Sequence, residues 1–159
     1  DRVVITHQHG DHVEQLGAVL DAFDADCYAY AEHPRRTHEL DDGDTVQIGD
    51  HDHEVVYTPG HASDHISFLS TAALFSGDVV VYNDGAYDNG SFGRTDMQGQ
   101  SRERLIQSLE DLLDRFPESV GGMYPGHGDP FVASADETVE QVVERALERA
   151  KRREPKYSE

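Results

Sequence analysis

The sequence predicts an α+β fold in which short strands lead into polar loops and amphipathic helices pack outside them. Five short strands are indicated by apolar and β-branched runs bounded by Gly, Asp or Pro, at 27–31, 45–48, 54–58, 65–70 and 79–82. A helix is predicted over 101–116, where apolar residues recur at helical spacing between the N-cap Ser101 and Pro117. A second helix is predicted after a capping box of Ser134 and Glu137.

The composition indicates a single, strongly acidic domain. A chain of 159 residues fits one domain, 1–159, with one core. Its 32 acidic and 13 basic residues give a net charge of −19, which is spread along the chain rather than gathered in a tail. Such a surface repels polyanions, so nucleic acid and anionic membranes are excluded as partners and a small-molecule substrate is expected.

The dispersed acidity also suggests an environment. A salt-rich cytoplasm screens the self-repulsion of such a surface, so we interpret the protein as halophilic and cytoplasmic. Docking of a basic partner is the weaker alternative, because the charge is not local. No apolar stretch approaches the roughly 20 residues of a membrane span. Cys27 stands alone among apolar neighbours and is predicted to be a core residue of a strand rather than a nucleophile.

Three imidazoles and a carboxylate occur in the run Thr6-His7-Gln8-His9-Gly10-Asp11-His12, directly after an apolar run. This ligand density is typical of a transition-metal site, since imidazole and carboxylate suit zinc or iron. His7 and His9 alternate and should point to one side of an extended segment. A helix is predicted to begin near His12, with its N-terminus at the site and an apolar face of Val13, Leu16, Val19, Leu20 and Phe23.

Two metals about 3.5–4 Å apart need more ligands than one stretch supplies. Three later stretches place a ligand-type residue beside a glycine at a predicted strand end: Thr58-Pro59-Gly60-His61, Phe75-Ser76-Gly77-Asp78 and Tyr124-Pro125-Gly126-His127. The chain therefore offers seven candidate metal ligands: His7, His9, Asp11, His12, His61, Asp78 and His127. The remaining histidines outside the motifs are expected to be solvated near turns: His33, His38, His51 and His53.

This order of residues, T-H-x-H-x-D-H followed by a distant His, a distant Asp and a last His, resembles the metallo-β-lactamase superfamily. The resemblance runs from Thr6 to about Pro130 and implies a four-layer αββα sandwich. Members of the superfamily normally carry several strands before the motif, so the sequence looks truncated at its N-terminus, without the first strands of the sandwich.

The resemblance divides the seven ligands into two metal sites with a bridging carboxylate. One metal would be held by His7, His9 and His61, the second by Asp11, His12 and His127, and both by Asp78. Two zinc ions per chain, with iron or manganese as alternatives, would lower the pKa of a bridging water toward about 7. The resulting hydroxide would attack the substrate. Asp11 is the expected catalytic residue, which orients the hydroxide and accepts its proton.

Two stretches are similar to those of glyoxalase II-like (hydroxyacylglutathione hydrolase-like) enzymes. Residues 58–65 match T-P-G-H-T-x-G-H except that Asp64 replaces the usual glycine, and the resemblance makes His65 a supporting residue rather than a ligand. Gly93-Arg94-Thr95-Asp96 is similar to a G-R-T-D segment of small glyoxalase II-like enzymes and persulfide dioxygenases.

Substrate contacts are expected from the segment between Asp78 and Arg94. Arg94 would anchor a substrate carboxylate through its bidentate fork, or else pair with one of the many surface acids. Tyr82, Tyr87 and Phe92 form either a substrate-facing loop or aromatic packing against the sandwich.

The favoured function is a metal-dependent hydrolase of the glyoxalase II type, a thioesterase for acyl-thiol substrates. A persulfide dioxygenase stays open, because His7, His61 and Asp78 would form a two-His, one-carboxylate triad for a single iron. Another binuclear zinc hydrolase, a phosphodiesterase or lactonase, is a third reading, and the acidic surface disfavours polyanionic substrates. Metallo-β-lactamases of the dominant antibiotic-resistance class have a Cys ligand near this point in the ligand order. The carboxylate of Asp78 therefore disfavours antibiotic hydrolysis as the main role.

Overall fold

Residues 1–85 and 88–154 are described by the computed structural model, and in them two β-sheets and four α-helices are formed. The smaller sheet has three parallel strands in the order β1 (Arg2–Val4), β2 (Asp26–Ala29) and β3 (His38–Glu39). Parallel neighbours need a crossover connection, which two helices supply between β1 and β2: α1 (Gly10–Val13) and α2 (Leu16–Phe23).

The larger sheet has six strands that lie in chain order. They are β4 (Thr45–Ile48), β5 (His51–Tyr57), β6 (Ile66–Leu69), β7 (Leu74–Gly77), β8 (Gly122–Pro125) and β9 (Phe131–Val132). All neighbours are antiparallel except β7 and β8, which are parallel and are connected through α3 (Arg102–Asp114). Helix α4 (Val139–Lys151) follows β9 and packs on α3.

Side chains of the larger sheet alternate between two buried faces. Val55 belongs to a core between the sheets that includes Tyr28, whereas Val56 packs among side chains of α3 and α4. The outer face of the smaller sheet is covered by α2 through Leu16 and Leu20. The layers are therefore α2, smaller sheet, larger sheet, and α3 with α4, so the predicted αββα sandwich is confirmed. Cys27 is fully buried in β2, as predicted.

The two C-terminal helices begin with side-chain caps, one of which differs from the prediction. Ser101 caps α3 as predicted. The prediction of a capping box at Ser134 and Glu137 is wrong. The N-cap of α4 is Thr138, four residues after Ser134, and Gln141 is its reciprocal partner. Both pairs fit the capping pattern, but only the second directly precedes the apolar face of α4. The hydroxyl of Ser134 instead accepts backbone hydrogen bonds in a separate turn.

The strand predicted at 79–82 is also wrong. Strand β7 ends at Gly77, whose φ of +53° is favourable for glycine and turns the chain before Asp78. The N–H of Val79 then donates to the Ser76 carbonyl at 3.1 Å. Residues 79–81 are buried all the same. The three valines are therefore typical of a buried segment, and they do not belong to a continuous strand, since Val81 makes only an isolated bridge.

The helix predicted to begin near His12 is two helices, with a break between α1 and α2. Leu16 and Leu20 are buried, but Val19 is 39% exposed and Phe23 is 63% exposed, which contradicts the single apolar face predicted. These two side chains line an open groove beside β1. Within the described part of the chain, no helix has the length and apolar character needed to cross a membrane.

Candidate metal centre

The four ligand-bearing stretches meet at one edge of the sandwich. Residues 7–12 follow β1, His61 lies between β5 and β6, and Asp78 and His127 follow the neighbouring strands β7 and β8. The carboxyl ends of parallel neighbours such as β7 and β8 lie at the same edge of a sheet. The Ile66 N–H donates to the Thr6 carbonyl at 2.8 Å, which joins the two sheets at this edge. The fold therefore brings together residues that are far apart in sequence.

Asp78 lies at the centre of the cluster and is only 3% exposed. Its Oδ2 is 3.0 Å from Nε2 of His12, 3.2 Å from Nε2 of His61 and 3.3 Å from Nε2 of His7. Its Oδ1 is 2.9 Å from Nδ1 of His127. One buried carboxylate thus contacts four imidazoles, an arrangement suited to a group shared by two cations.

The ligand atoms form three overlapping groups, in each of which all atoms lie within 4.8 Å of one another: His7, His9 and His61; His7, His12 and Asp78; and Asp11, His12 and His127. The first and third groups have the same members as the two metal sites expected from the sequence. Asp11 is exposed, and its Oδ2 lies 3.0 Å from Nε2 of His127. All seven predicted ligands are therefore found in one cluster.

Two buried ring nitrogens test whether this cluster suits a metal ion. Among the described residues, Nε2 of His7 and Nε2 of His61 have no hydrogen-bond partner. The Nδ1–H of His61 donates to the Arg94 carbonyl at 2.8 Å, so its Nε2 carries a free lone pair. Buried polar atoms without partners are uncommon, and a metal ion would satisfy both nitrogens. Imidazole and carboxylate donors fit divalent zinc or iron.

His65 supports the cluster from behind and is fully buried. The backbone N–H of Asp78 donates to its Nε2 at 3.0 Å, so the proton must be on Nδ1, which lies 2.8 Å from Thr58 Oγ1. Thr58 in turn lies 2.8 Å from the hydroxyl of Ser67. This chain fixes the ring and holds the main chain of Asp78 in place, in agreement with the supporting role expected for His65.

The electrostatics of the cluster differ from one group to the next. Burial raises the pKa of Asp78, but its close contacts with the His12, His61 and His7 imidazoles outweigh burial and hold the pKa far below its usual range. The hydrogen bond with Asp78 raises the pKa of His12. The pKa of His9 is lowered by burial and then by the nearby His61 and His7 rings. An ionised carboxylate and a neutral His9 imidazole are the forms in which these groups bind metals.

Gly126 allows the end of β8 to approach the cluster closely. A Cβ at this position would lie 2.5 Å from Asp78 Oδ1 and 2.7 Å from His12 Cε1. Both distances are far shorter than van der Waals contact, so any side chain here would displace ligand atoms. The glycine beside His127 therefore has a steric role in the site, which the sequence pattern marked only as a strand-end residue.

A cavity of about 220 Å³ opens over the cluster and is lined by residues that include Arg94, Val81 and Gly93. The guanidinium of Arg94 is bidentate with Asp96, at 2.7 and 2.8 Å. Of the two roles considered for Arg94, this contact favours pairing with a surface acid. The backbone carbonyl of the same residue holds His61, a contact that no sequence pattern signals.

Two of the three aromatic residues expected between Asp78 and Arg94 lie in described parts of the chain, and both pack against the sandwich rather than facing a substrate. The Tyr82 ring packs on Phe131, with ring centroids 5.1 Å apart, and Phe92 is fully buried in the core beside α3 and α4. Tyr87 lies outside the described residues. The alternative, aromatic packing against the sandwich, is what the structure shows for Tyr82 and Phe92.

His53 is buried rather than solvated, which contradicts the sequence-based expectation. It is 2% exposed, its Nδ1–H donates to the His51 carbonyl at 3.1 Å, and its Nε2 lies 3.1 Å from Ser70 Oγ. Burial lowers its pKa. His53 lies on the same face of β5 as the buried Val55, a pattern that could have identified it as buried, whereas His51 is exposed at the start of the strand. His38 and His51 are exposed and His33 is half-buried.

Known proteins similar to this chain were found by sequence and by structure. No model of a protein family matches the chain. Over 134 residues it is 32% identical to a hydroxyacylglutathione hydrolase of Francisella tularensis subsp. novicida, an alignment that covers 80% of this chain and 49% of that protein. Two other hydroxyacylglutathione hydrolases match at 37% and 40% identity, and the chain spans 31% and 34% of their lengths.

Solved structures agree over nearly the whole chain. The crystal structure of ETHE1 from Myxococcus xanthus matches with a TM-score of 0.70 and 28% identity, covering 94% of this chain and 68% of that one. The BLEG-1 B3 metallo-β-lactamase matches with a TM-score of 0.69 and 26% identity, covering 91% of this chain and 75% of that one. Together with the αββα architecture and the His/Asp cluster, these likenesses show that the chain belongs to the metallo-β-lactamase fold superfamily.

Proposed function

We propose that the seven clustered residues hold two divalent metal ions, preferably zinc, and that the protein hydrolyses acyl thioesters in the manner of glyoxalase II-like enzymes. One observation carries the proposal: four imidazoles surround the buried Asp78 carboxylate while two buried ring nitrogens lack partners. Enzymes of this superfamily use divalent metals such as zinc or iron. The similarity to hydroxyacylglutathione hydrolases supports the thioester as the substrate class.

The arrangement of ligands supports a division between two metals. His7, His9 and His61 would hold one ion, Asp11, His12 and His127 would hold the other, and Asp78 would contact both. When bound, such a pair supplies hydroxide at neutral pH and polarises the carbonyl oxygen of the acyl group. The protein supplies the shape of the site and its proton acceptor.

Asp11 is the residue we propose to handle the proton. Its side chain is 57% exposed at the mouth of the cavity, and its Oδ2 lies 3.0 Å from His127 and 3.5 Å from His12. An exposed carboxylate held between two rings can orient a water and take a proton from it on Oδ2. Val81 and Gly93 line the cavity beside the ligands.

The cavity suits the acyl half of a small substrate. Its volume of about 220 Å³ is smaller than a typical ligand pocket of about 300–1,000 Å³. An acyl group would enter it, and the thiol carrier would lie outside. Because Arg94 is paired with Asp96, recognition of a substrate carboxylate by Arg94 requires that this pair opens.

A second candidate function is supported by the two unpartnered nitrogens themselves. Nε2 of His7 and Nε2 of His61 lie 3.3 and 3.2 Å from the same oxygen of Asp78. These three groups match the two-His, one-carboxylate set that holds a single iron in oxygenases, so a persulfide dioxygenase is the alternative. Both candidates act on small molecules, and a surface with a net charge of −19 disfavours polyanions, including those of a phosphodiesterase.

The acidic surface supports a proposal about the environment of the protein. A net charge of −19 on 159 residues is strongly self-repelling at low ionic strength. Salt shortens the range of this repulsion from about 10 Å at 0.1 M to about 3 Å at 1 M. We infer that the protein works in a salt-rich cytoplasm.

Metal content and activity, measured together, test the function. Protein purified in high salt would be examined by plasma mass spectrometry and assayed with lactoyl-thiol substrates and with a persulfide under oxygen. About two zinc ions per chain with thioester cleavage is the expected result. About one iron per chain, with oxygen uptake and no thioester cleavage, would replace the hydrolase with the dioxygenase.

A matched pair of histidine variants tests the ligand assignment. His9→Ala should abolish hydrolysis and reduce the metal content, because His9 belongs to the first metal group. His38→Ala is the control, since His38 is exposed in β3 and stacks on Tyr28 with ring centroids 4.2 Å apart. Equal metal content in the two variants would contradict the assignment.

A further inference from the structure

Asp64 makes a contact between two ligand-bearing stretches. Its Oδ2 accepts a hydrogen bond from the backbone N–H of Gln8 at 2.9 Å, across 56 positions of sequence. Gln8 stands between His7 and His9, whereas Asp64 lies in the loop that carries His61. The contact therefore joins the two segments that supply the group His7, His9 and His61.

Both partners of this hydrogen bond are held in place by other contacts. The Tyr57 hydroxyl donates to the Ser63 carbonyl at 2.6 Å, directly before Asp64, and so ties the loop to the end of β5. The side-chain amide of Gln8 donates to the Ala31 carbonyl at 3.2 Å. Asp64 thus lies on an anchored loop. It binds the backbone N–H of Gln8, whose side chain is held separately by Ala31.

His9 depends on the main chain more than the two other members of its group. The Nδ1 atoms of His7 and His61 lie 3.0 Å from Thr6 Oγ1 and 2.8 Å from the Arg94 carbonyl, respectively. In the part of the chain that the structure describes, the His9 ring has no such hydrogen bond, and its residue is the N-cap of α1 without a side-chain cap. The orientation of its ring is therefore set largely by the backbone that Asp64 holds.

We propose that Asp64 is a positioning residue that holds His9 in register with His7 and His61 for binding a divalent metal ion. This inference rests on the proposed metal site but not on the reaction catalysed there. The carboxylate acts through the Gln8 amide and does not bind the metal. The amide hydrogen bond is charge-assisted, so a neutral acceptor at the same position should hold the loop less firmly.

Three variants separate positioning from general stability. Asp64→Ala removes the acceptor, and Asp64→Asn keeps an oxygen acceptor without the charge. Asp44→Ala is the matched control, because Asp44 Oδ2 also accepts a backbone hydrogen bond, from Asp41 at 2.8 Å, in an exposed turn that carries none of the proposed ligands. Each metal-free protein would be titrated with zinc against a chromophoric chelator and with cobalt while the visible spectrum is recorded.

The expected result is a selective change. Asp64→Ala should weaken one of the two metal equivalents by about 10- to 100-fold, the range for partners that orient metal ligands, and leave the other unchanged. Asp64→Asn should recover most of the loss, and Asp44→Ala should bind both equivalents like the parent. The cobalt spectrum of the affected site should change in Asp64→Ala and remain parent-like in the control.

Two results would overturn the proposal. One is a parent-like affinity for both equivalents in Asp64→Ala. The other is that Asp64→Ala and Asp64→Asn each weaken both metal equivalents, and to the same extent. That result would indicate a general loss of structure. A parent protein that binds two metals but cleaves no thioester would refute the proposed reaction while leaving the role of Asp64 to be decided by the titration.

Discussion

Replacing His65 with alanine should lower the free energy of unfolding of the metal-free protein by about 3–5 kcal/mol. The ring is fully buried behind the cluster and is the hydrogen-bond acceptor for the backbone N–H of Asp78 at 3.0 Å. It is also the donor to Thr58 Oγ1 at 2.8 Å. The substitution removes both contacts and a buried ring without changing any proposed metal ligand.

The magnitude follows from what each partner loses. The Asp78 N–H is left buried without an acceptor, which costs about 1–3 kcal/mol. Thr58 keeps Ser67 as a partner at 2.8 Å, so its loss is the net value of a hydrogen bond, about 0.5–1.5 kcal/mol. The volume left by the ring adds about 1 kcal/mol or more. His65→Gln should recover part of the loss, because its amide oxygen can accept from the Asp78 N–H.

Urea unfolding in high salt with excess chelator measures this effect without a contribution from bound metal. The control is His51→Ala, an exposed position at the start of β5 at which the change should stay within about 0.5 kcal/mol. The slope of the free energy against urea should be the same for all variants, so that the midpoints report stability. A loss below about 1 kcal/mol for His65→Ala would refute the reasoning, and equal losses for alanine and glutamine would refute the assigned hydrogen-bond directions.

Three other predictions follow from the structure. Gly126→Ala should remove most metal binding while the protein stays folded, because its Cβ would lie 2.5 Å from Asp78 Oδ1; parent-like metal content by mass spectrometry would contradict this. Burial lowers the pKa of His53, so its contribution to stability is complete above about pH 6.5 and is lost as the pH falls. In metal-free protein, His53→Gln should therefore show a smaller fall in unfolding free energy between pH 7.5 and pH 5.5 than the parent, and parallel pH curves would exclude this role. The thermal midpoint should rise between about 0.1 and 2 M KCl because salt screens a net charge of −19, and a constant midpoint would argue against the salt-rich environment.

Local sequence signals predicted several elements of the fold. Ser101 caps α3 as expected, because a helix cap depends on neighbouring residues. The valines at 79–81 were misassigned because a buried apolar run has the same composition inside or outside a ladder. The exposed Val19 and Phe23 were misassigned because helical spacing does not show which of the apolar residues the sheet covers.

The identity and order of the seven clustered residues can be read from the amino-acid sequence, because the ligand types and their spacing to glycine are properties of short stretches. The charge of the surface can be read from it as well. The packed fold was needed to find that four imidazoles surround Asp78, that Arg94 is paired with Asp96, and that Asp64 accepts a hydrogen bond from the backbone between two histidines. These contacts depend on how the sheets and loops pack, and the distances between residues remote in sequence follow from that packing rather than from any local pattern.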